Sequence, residues 1–599
     1  MKYIKALFLK IGWLISLKMD SKKVNNLSEI FFQVGFLLIS IIAFTLFISS
    51  LTFFLHGRMG GWQLPVAAGM AISMYYFVFR KAEMRRANLP VVLSLSLLII
   101  IFSVLIGGYF YDTSFDGQAY HMEAMIQMKR GWNPYWEYLP DTVNQAIWVN
   151  HYAKGMETVQ AAFYCSFGNI ETGKAINIWI WVSSFLFTAS LLMNFRFLSF
   201  RKSILISALL ACNPIVINQL LSYYVDGPLG SLMLCLVVCC IFIIRKAELK
   251  YLLLLAILIV ILVNLKFTAI LYLGVFIGGF LIWLLFRKDY LITKKLFFWS
   301  LGAGMLAIVI GFNPYITNTL NFDHPLYPLM GKDKVDIIYE LNLPTGFEHK
   351  SGLARFFTAT FSRTDNIYPN SIYRPQYKIP FTFNKTDICY APMVDARLGG
   401  FGPWFGGILI FSFGLLLLLY FKGSKDAFFR NIMLLFLLIV VAVIVMPESW
   451  WARYVPQFWT LPIILLMGAE LALKDRFVNF RRLIYLLIVG NLMFNAPMVL
   501  FNMILTSTIN YQMKVLKTSS KTVDVDFGAS ASNRVRFEEN NIPYRLKSLV
   551  KLQGEAKEYI AGSQTQFIIP DDVDRNAPVP LLVRMTEGVL PFMWEYYGR

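Results

Sequence analysis

The sequence predicts an all-α polytopic membrane protein with about 13 transmembrane helices. Of its 599 residues, 57% are hydrophobic and only 15% are charged, whereas soluble domains carry about 25% charged residues. The apolar residues are gathered in repeated runs of roughly 20, and each such run can cross about 30 Å of hydrocarbon. Short hydrophilic connections between the runs hold most of the basic residues. The chain is therefore expected to cross a bilayer many times.

The spans follow the apolar runs in chain order. They cover approximately residues 28–55, 61–79, 88–111, 172–195, 203–221, 228–244, 250–264, 267–286, 296–316, 401–421, 428–446, 456–473 and 482–505. The run Tyr251 to Phe286 is too long for one crossing, so we divide it near Asn264-Leu265-Lys266. If this run were one span, the orientation of every later span would be reversed, and the later basic clusters would lie outside.

Basic residues predict the orientation, because they collect in cytoplasmic connections. With the N-terminus inside, alternate connections are basic, as at Arg85-Arg86, Lys294-Lys295 and Arg481-Arg482. The net charge of +19 is explained by these cytoplasmic basic residues, which orient the protein in the bilayer. No nucleic-acid partner is predicted. Three longer segments then face outward: residues 112–171, 317–400 and 506–599. We divide the chain into a transmembrane domain, residues 1–505, and a small C-terminal extracytoplasmic domain, residues 506–599, for which an α/β fold is one option.

The first outer loop opens on acids and a histidine directly after an apolar run. Residues 117–128 are predicted to form a helix at the membrane surface, with Asp116 near its N-cap. His121 and Glu123 lie within that helix. A second juxtamembrane helix is predicted over Lys154 to Phe167. For Asp116 two interpretations stay open, a helix cap and a functional acid.

Three further ionisable residues lie at the same predicted outer boundary. They are Asp226, Lys266 and Arg453, each at the end of a different span. Charged groups at a membrane are costly and tend to mark function, although a single one is more often a residue that extends toward the interface. Acids and bases from separate spans at one boundary predict a common site, with carboxylates for proton transfer and cations for a phosphate.

Over residues 89–501 these features resemble, in order and spacing, the C-type glycosyltransferase (GT-C) superfamily. The resemblance is to bacterial polyprenyl-phosphate-sugar-dependent transferases related to protein O-mannosyltransferases and to the aminoarabinose transferase of lipid A. The motifs that carry it are Phe115-Asp116-Gly117-Gln118-Ala119-Tyr120, Gly131-Trp132-Asn133-Pro134, Asp226, Lys266 and Arg453-Tyr454 with Pro456. Gly117 stands where the family has a second acid, and two extra spans precede the first motif.

The resemblance implies a glycosyltransferase that moves a hexosyl or pentosyl group from a polyprenyl-phosphate carrier to a hydroxyl acceptor, with inversion. It places Asp116 as the catalytic base and Asp226 as a second catalytic acid. Lys266 and Arg453 would bind the phosphate, and Tyr120, His121 and Tyr454 are the remaining candidate substrate-binding residues. The enzyme would act at the outer face of a bacterial plasma membrane, in cell-envelope glycan or glycoconjugate assembly. Its partners would be the lipid-linked donor, membrane lipid and a glycan, lipid or protein acceptor.

Several alternatives stay open at this point. No cofactor is required, but a divalent metal at Asp116, His121 and Glu123 is a less favoured addition, because histidine and carboxylates suit such ions. The runner-up activity is a lipid-linked polysaccharide polymerase or ligase. A flippase or transporter would instead predict internal pseudo-symmetry and charges at the membrane midplane. A scaffold in an envelope-glycan complex is a further alternative.

Overall fold

The computed structural model of the chain is mostly helical, as the sequence predicts. It describes residues 21–80, 85–195, 198–336, 342–365, 374–423, 427–549, 557–574 and 578–584. Most of the basic N-terminal segment, and the predicted inside residues Lys81, Arg196 and Lys425, lie outside these ranges. Among the described residues, eight helices are long and apolar enough to cross a membrane, and three shorter apolar helices accompany them. The protein is therefore a membrane protein, and the count of 13 spans stays a prediction.

Three apolar helices begin the described chain. They are α1 (Ser21–Phe54), α2 (Gln63–Phe79) and α3 (Arg85–Tyr109). α1 is largely buried and forms the centre of the helix bundle, whereas α3 leaves large apolar side chains such as Leu97, Phe102 and Leu105 exposed. A soluble protein rarely exposes so large an apolar surface, so this face of α3 fits contact with lipid.

The first outer loop is helical where the sequence predicts helices. A π-helical turn (Gly117–His121) leads into α4 (Met122–Lys129), and α5 (Ala146–His151) and α6 (Gly155–Phe167) follow. α4 ends just before Gly131, whose φ of +101° suits glycine. Along α6, the apolar residues Met156, Val159 and Phe163 are buried, whereas Phe167 at its end is about half exposed.

The central helices include one break that the sequence analysis missed. After the 3₁₀ turn Ile170–Lys174 the helices are α7 (Ala175–Phe195), α8 (Phe200–Ala211), α9 (Pro214–Gln219), α10 (Asp226–Arg245), α11 (Leu249–Leu265), α12 (Phe267–Phe286) and α13 (Tyr290–Ile310). The predicted span 203–221 is wrong as a single helix, because it is divided between α8 and α9. Asn213 causes the break: its side chain accepts a hydrogen bond from the Ile215 amide and caps α9 ahead of Pro214.

The predicted division of residues 251–286 is confirmed as a break between two helices. α11 ends at Leu265, Lys266 is extended with φ −163° and ψ 143°, and α12 begins at Phe267. Asn264 holds the end of α11 in place, because its side-chain amide donates to the Ala307 carbonyl of α13 at 3.0 Å. The break therefore lies within the three residues that the sequence predicts.

The second half of the chain contains short loop helices and then a further group of apolar helices. They are α14 (Thr317–Phe322), α15 (Gly352–Thr360), α16 (Lys385–Tyr390), α17 (Phe405–Lys422), α18 (Ala427–Ile444), α19 (Thr460–Ala472), α20 (Val478–Met493) and α21 (Pro497–Leu516). The predicted span 482–505 is again two helices, since the chain turns at residues 494–496 and Pro497 begins α21. α21 continues well past residue 505.

The C-terminal segment forms a small mixed sheet beside α21. Its elements are β1 (Val523–Asp526), α22 (Arg534–Glu539), β2 (Tyr544–Leu546), β3 (Lys557–Tyr559), β4 (Gln566–Ile568) and α23 (Leu581–Arg584). The strand order is β2-β1-β4-β3, with β1 and β2 parallel and the other pairs antiparallel. Val525 pairs with Phe567 and belongs to the same buried apolar cluster as Ile509 and Met513 of α21. The extracytoplasmic position of this unit stays a prediction.

α22 joins the C-terminal unit to the first outer loop. Arg534 forms a bidentate ion pair with Glu123 of α4, at 2.6 and 2.7 Å. Arg130 lies 2.7 Å from Glu538, and the Ile170 amide donates to Glu539 at 3.1 Å. Partial removal from water raises the pKa of Glu539 to about 7, although the side chain keeps contact with solvent. Near neutral pH this carboxyl is therefore about half ionised.

Glu539 predicts a pH dependence of stability. Because its pKa rises from 4.5 to about 7 on folding, its contribution is present below about pH 4.5 and is lost as pH rises through about 7. Glu539→Gln should remove this loss, and should therefore raise the apparent Tm at about pH 8 but not at about pH 5. Glu538→Gln at the neighbouring exposed position is the control. A Glu539→Gln protein with the wild-type pH profile would contradict the prediction.

The predicted topology is tested by cysteine labelling. In a chain with Cys165 and Cys389 changed to serine, Asp574→Cys should react with a membrane-impermeant thiol reagent in intact cells. Arg287→Cys, at an exposed position of the predicted cytoplasmic side, should react only after the cells are opened. Protection of residue 574 in intact cells would overturn the outer position of the C-terminal unit.

Candidate functional site

The four ionisable residues that the sequence predicts to share a site do lie together. Asp116 precedes α4, and Asp226 is the first residue of α10, where a helix dipole favours an anion. Lys266 lies between α11 and α12, and Arg453 lies in the 3₁₀ turn Ala452–Tyr454 between α18 and α19. Four distant segments thus contribute one charged group each to a single cluster.

Arg453 is the centre of this cluster. Its Nη1 donates to Asp116 Oδ2 at 3.0 Å and lies 3.6 Å from Asp226 Oδ2. The guanidinium carbon lies 4.5 Å from the ring centre of Trp451 and 4.7 Å from that of Tyr224. Burial by itself would lower the pKa of Arg453, but the carboxylates around it hold that pKa well above its usual value. The guanidinium is therefore a permanent cation in the site.

Asp395 is a third carboxylate of the cluster, and the sequence analysis missed it. It lies ahead of α17, and its Oδ1 is 3.2 Å from Arg453 Nε, an ion pair without hydrogen-bond geometry. Burial raises its pKa to about 6, although neighbouring arginines oppose the rise. The available signal was a pair of charged residues, Asp395 and Arg397, immediately before a predicted span.

Backbone pairing explains why Asp395 meets Arg453. The Ala452 amide donates to the Arg397 carbonyl at 3.1 Å, and the Arg453 amide donates to the Ala396 carbonyl at 3.0 Å. These two bonds align the segment before α17 with the turn before α19. The side chains of residues 395 and 453 are thereby placed next to each other across a gap of almost sixty residues in the sequence.

Lys266 is held by a buried acid and an aromatic ring. Its ammonium forms an ion pair with Asp226 Oδ1 and lies 4.2 Å from the ring centre of Tyr454. Gly155, at the start of α6, packs against the end of α11, since a Cβ there would lie 2.7 Å from Asn264 Cβ. The close contact holds the extended residue Lys266 beside the cluster.

The charged side chains differ in how far they reach open space. Those of Asp226 and Asp395 are each 1% exposed, and that of Arg453 is 9% exposed. The side chain of Asp116 is 17% exposed and that of Lys266 is 21% exposed. Asp116 is therefore the one carboxylate of the three that a bound molecule can readily reach.

The cluster lies beside a cavity of about 190 Å³, which opens to the outside of the protein. Aromatic residues line much of it, namely Tyr120, His121, Trp148, Tyr152, Tyr224, Phe267, Trp451 and Tyr454. Burial and the nearby Asp116 hold the pKa of Tyr120 well above its ordinary value, so this hydroxyl stays protonated. The cavity thus combines apolar ring faces with a charged boundary.

The remaining predicted site residues have separate partners. His121 lines the cavity, and its Nδ1 lies 2.5 Å from Glu157 Oε1. Glu123 is engaged by Arg534 of α22. Within the described residues no group of three histidine, cysteine or acidic side chains is placed to hold a metal ion, and Asp116, His121 and Glu123 have three different partners.

The interpretation of Asp116 as a helix cap is wrong. Its backbone is already helical, with φ −60° and ψ −36°, and its side chain makes no capping hydrogen bond. An N-cap residue normally has an extended backbone and accepts a bond from an amide of the first turn. The Asp116 carboxylate instead contacts Arg453, and its function as a catalytic acid or base stays a prediction.

The surroundings of Gly117 leave no room for a side chain at this position. A Cβ at this position would lie 1.9 Å from Asp112 Oδ2 and 2.4 Å from Ser114 Oγ. The Asp112 carboxylate thus fills the space that a side chain at residue 117 would need. Asp112 is fully buried, and burial raises its pKa.

Gly117→Ala should therefore displace the Asp112 carboxylate and destabilise the protein by about 1–3 kcal/mol, as overpacking does. The measurement is the apparent Tm of the purified protein. Gly69→Ala in α2 is the control, because a Cβ there would meet no atom within 4 Å. Equal stability of the Gly117→Ala and Gly69→Ala proteins would contradict the close contact.

Comparisons of this chain with models of protein families, with curated proteins and with solved structures found no match. The site is therefore interpreted from its own residues and their geometry.

Proposed function

We propose that this protein is an integral membrane glycosyltransferase of the C-type class. It moves a sugar from a polyprenyl-phosphate carrier to a hydroxyl acceptor at the outer face of a bacterial plasma membrane, in envelope glycan or glycoconjugate assembly. One observation carries the proposal. An accessible carboxylate, Asp116, lies beside two cations, Lys266 and Arg453, at the boundary of an aromatic cavity.

Asp116 is suited to act as the general base. A hydroxyl group is a poor nucleophile at neutral pH, so a carboxylate must accept its proton as the new bond forms. Asp116 is the most exposed of the three acids, and its contact with Arg453 uses one oxygen, Oδ2. An acceptor hydroxyl in the cavity can approach this carboxylate without displacing a buried group.

Lys266 and Arg453 are suited to bind the phosphate of the donor. When the bond from the sugar to the carrier breaks, negative charge develops on the phosphate, and fixed cations stabilise that charge. Arginine can contact phosphate with two parallel hydrogen bonds. Attack from the side opposite to the leaving phosphate inverts the configuration of the anomeric carbon. Such a single displacement needs only one accessible carboxylate as a base, and Asp116 is that carboxylate.

Asp226 and Asp395 are assigned a different task from Asp116. Both are buried, and both contact the cations of the site. Removing a charge from water is costly unless an opposite charge is close, so these acids hold Lys266 and Arg453 as charged groups at the cavity. In this proposal Asp226 serves the reaction by orienting both cations.

The position of the charged groups favours a transferase over a transporter. Asp226 begins a helix, Lys266 lies between two helices, and Arg453 lies in a turn between two others. Transporters place their substrate sites near the bilayer midplane, at interrupted helices related by internal symmetry. A site at helix ends instead suits a donor whose phosphate stays at the interface while its apolar chain lies in lipid.

The test is transfer of label from radiolabelled polyprenyl-phosphate sugars to total envelope acceptors by the purified protein. Asp116→Asn should lower kcat by about 10²–10⁴-fold, as loss of a general base does, while donor binding is retained. Asp571→Asn is the matched control, because the same change is made on a side chain that is 82% exposed.

A fully active Asp116→Asn enzyme would falsify the assignment of the base. Transfer of long glycans from lipid-linked saccharides, with no transfer of single sugars, would favour the polymerase or ligase. Donor binding without transfer by the folded wild-type protein would instead favour a flippase.

A further inference from the structure

We infer that the C-terminal unit is part of this site, with Arg536 and Asp112 as positioning residues. Together they fix the two chain segments that carry Asp116 and Asp226. The expected effect of these residues on turnover rests on the function proposed above. Their effect on the position of the two segments is independent of that function.

Asp112 joins the two segments directly. Its Oδ1 accepts a hydrogen bond from the Ser114 amide at 2.8 Å, and its Oδ2 accepts one from the Tyr223 amide at 2.9 Å. Ser114 lies two residues before Asp116, and Tyr223 lies three residues before Asp226. A single buried carboxylate thus sets the distance between the segments that hold both acids.

Arg536 of α22 fixes Asp112 from the other side. Its Nη2 donates to the Asp112 carbonyl at 2.5 Å and to Glu171 Oε1 at 3.2 Å. Glu171 Oε2 accepts from the Asp112 amide at 3.0 Å and from Lys174 at 2.5 Å. Both backbone groups of Asp112 are therefore held by Arg536 or by its carboxylate partner.

A second contact lies on the other side of Asp116. Asn533 donates to the Gln118 side-chain oxygen at 2.8 Å, and the Gln118 amide group donates to the Gly562 carbonyl at 2.8 Å. A Cβ on Gly562 would lie 2.8 Å from Thr113 Cβ, so the two chains approach closely there as well. The C-terminal unit thus contacts the first outer loop both before and after Asp116.

The burial of Arg536 indicates that this contact is directional. The residue is 1% exposed, although it belongs to the small C-terminal unit. A buried arginine is destabilising unless it is paired, and an apolar side chain could fill the same space without that requirement. The guanidinium instead donates one hydrogen bond to the carbonyl four residues before Asp116 and one to Glu171.

The experiment compares full-length Arg536→Gln and Arg536→Lys with Arg545→Gln. Arg545 is an exposed arginine of the same unit, paired with Asp524, and serves as the matched control. Hydrogen exchange should become at least about 10-fold faster at residues 112–118 and 222–227 in Arg536→Gln. Its kcat should fall about 10–100-fold, as a small misplacement of reacting groups would cause, with a smaller change in KM for the donor.

Arg536→Lys should recover part of both effects, because lysine retains the positive charge and can donate hydrogen bonds but lacks the planar guanidinium group. Unchanged exchange in both segments of Arg536→Gln would overturn the inference, whatever the activity. Faster exchange together with an inactive wild-type protein would leave the positioning role intact and reject the proposed function instead. If Arg536→Gln does not fold, Asn533→Ala is measured in the same way, and unchanged exchange at residues 114–121 overturns the inference.

Discussion

The ion cluster around Arg453 is the constraint on which the rest of this site depends. One guanidinium contacts Asp116 and Asp395 and lies close to Asp226, which in turn pairs with Lys266. Charges removed from water at a membrane boundary are stable only when each has an opposite partner nearby. The chain segments that carry these five residues must therefore meet within a few ångströms. This requirement fixes the relative positions of the helices that adjoin them.

The local structure around the cluster serves this requirement. The extended backbone at Lys266 interrupts the apolar run at the point where its side chain can meet Asp226. The backbone bonds from Ala452 and Arg453 bring in Asp395. The aromatic rings of Tyr224, Trp451 and Tyr454 surround the cations with surfaces that attract positive charge. The site thus combines paired, buried charges with aromatic ring faces. In the proposed function this combination receives the phosphate and the apolar chain of the lipid-linked donor.

The sequence could predict those parts of the site that local rules control. Apolar runs locate the helices, and Asp226, Lys266 and Arg453 stand out because charged residues are few at the predicted outer ends of the spans. Asp395 could not be found in this way, since its contact with Arg453 depends on pairing between two distant loops. The break at Asn213 did have a local signal, an asparagine cap before proline. The contact of α22 with the first outer loop had no local sequence signal, because it depends on the folded C-terminal unit.

A structure of the purified protein with a non-hydrolysable polyprenyl-phosphate sugar tests the central claim most directly. We expect the phosphate within hydrogen-bond distance of Lys266 and Arg453, the anomeric carbon facing Asp116, and the apolar chain between helices at the lipid boundary. A donor bound away from these residues, or a cavity that takes up no donor while Arg453 keeps its contacts with Asp116 and Asp395, would contradict the account.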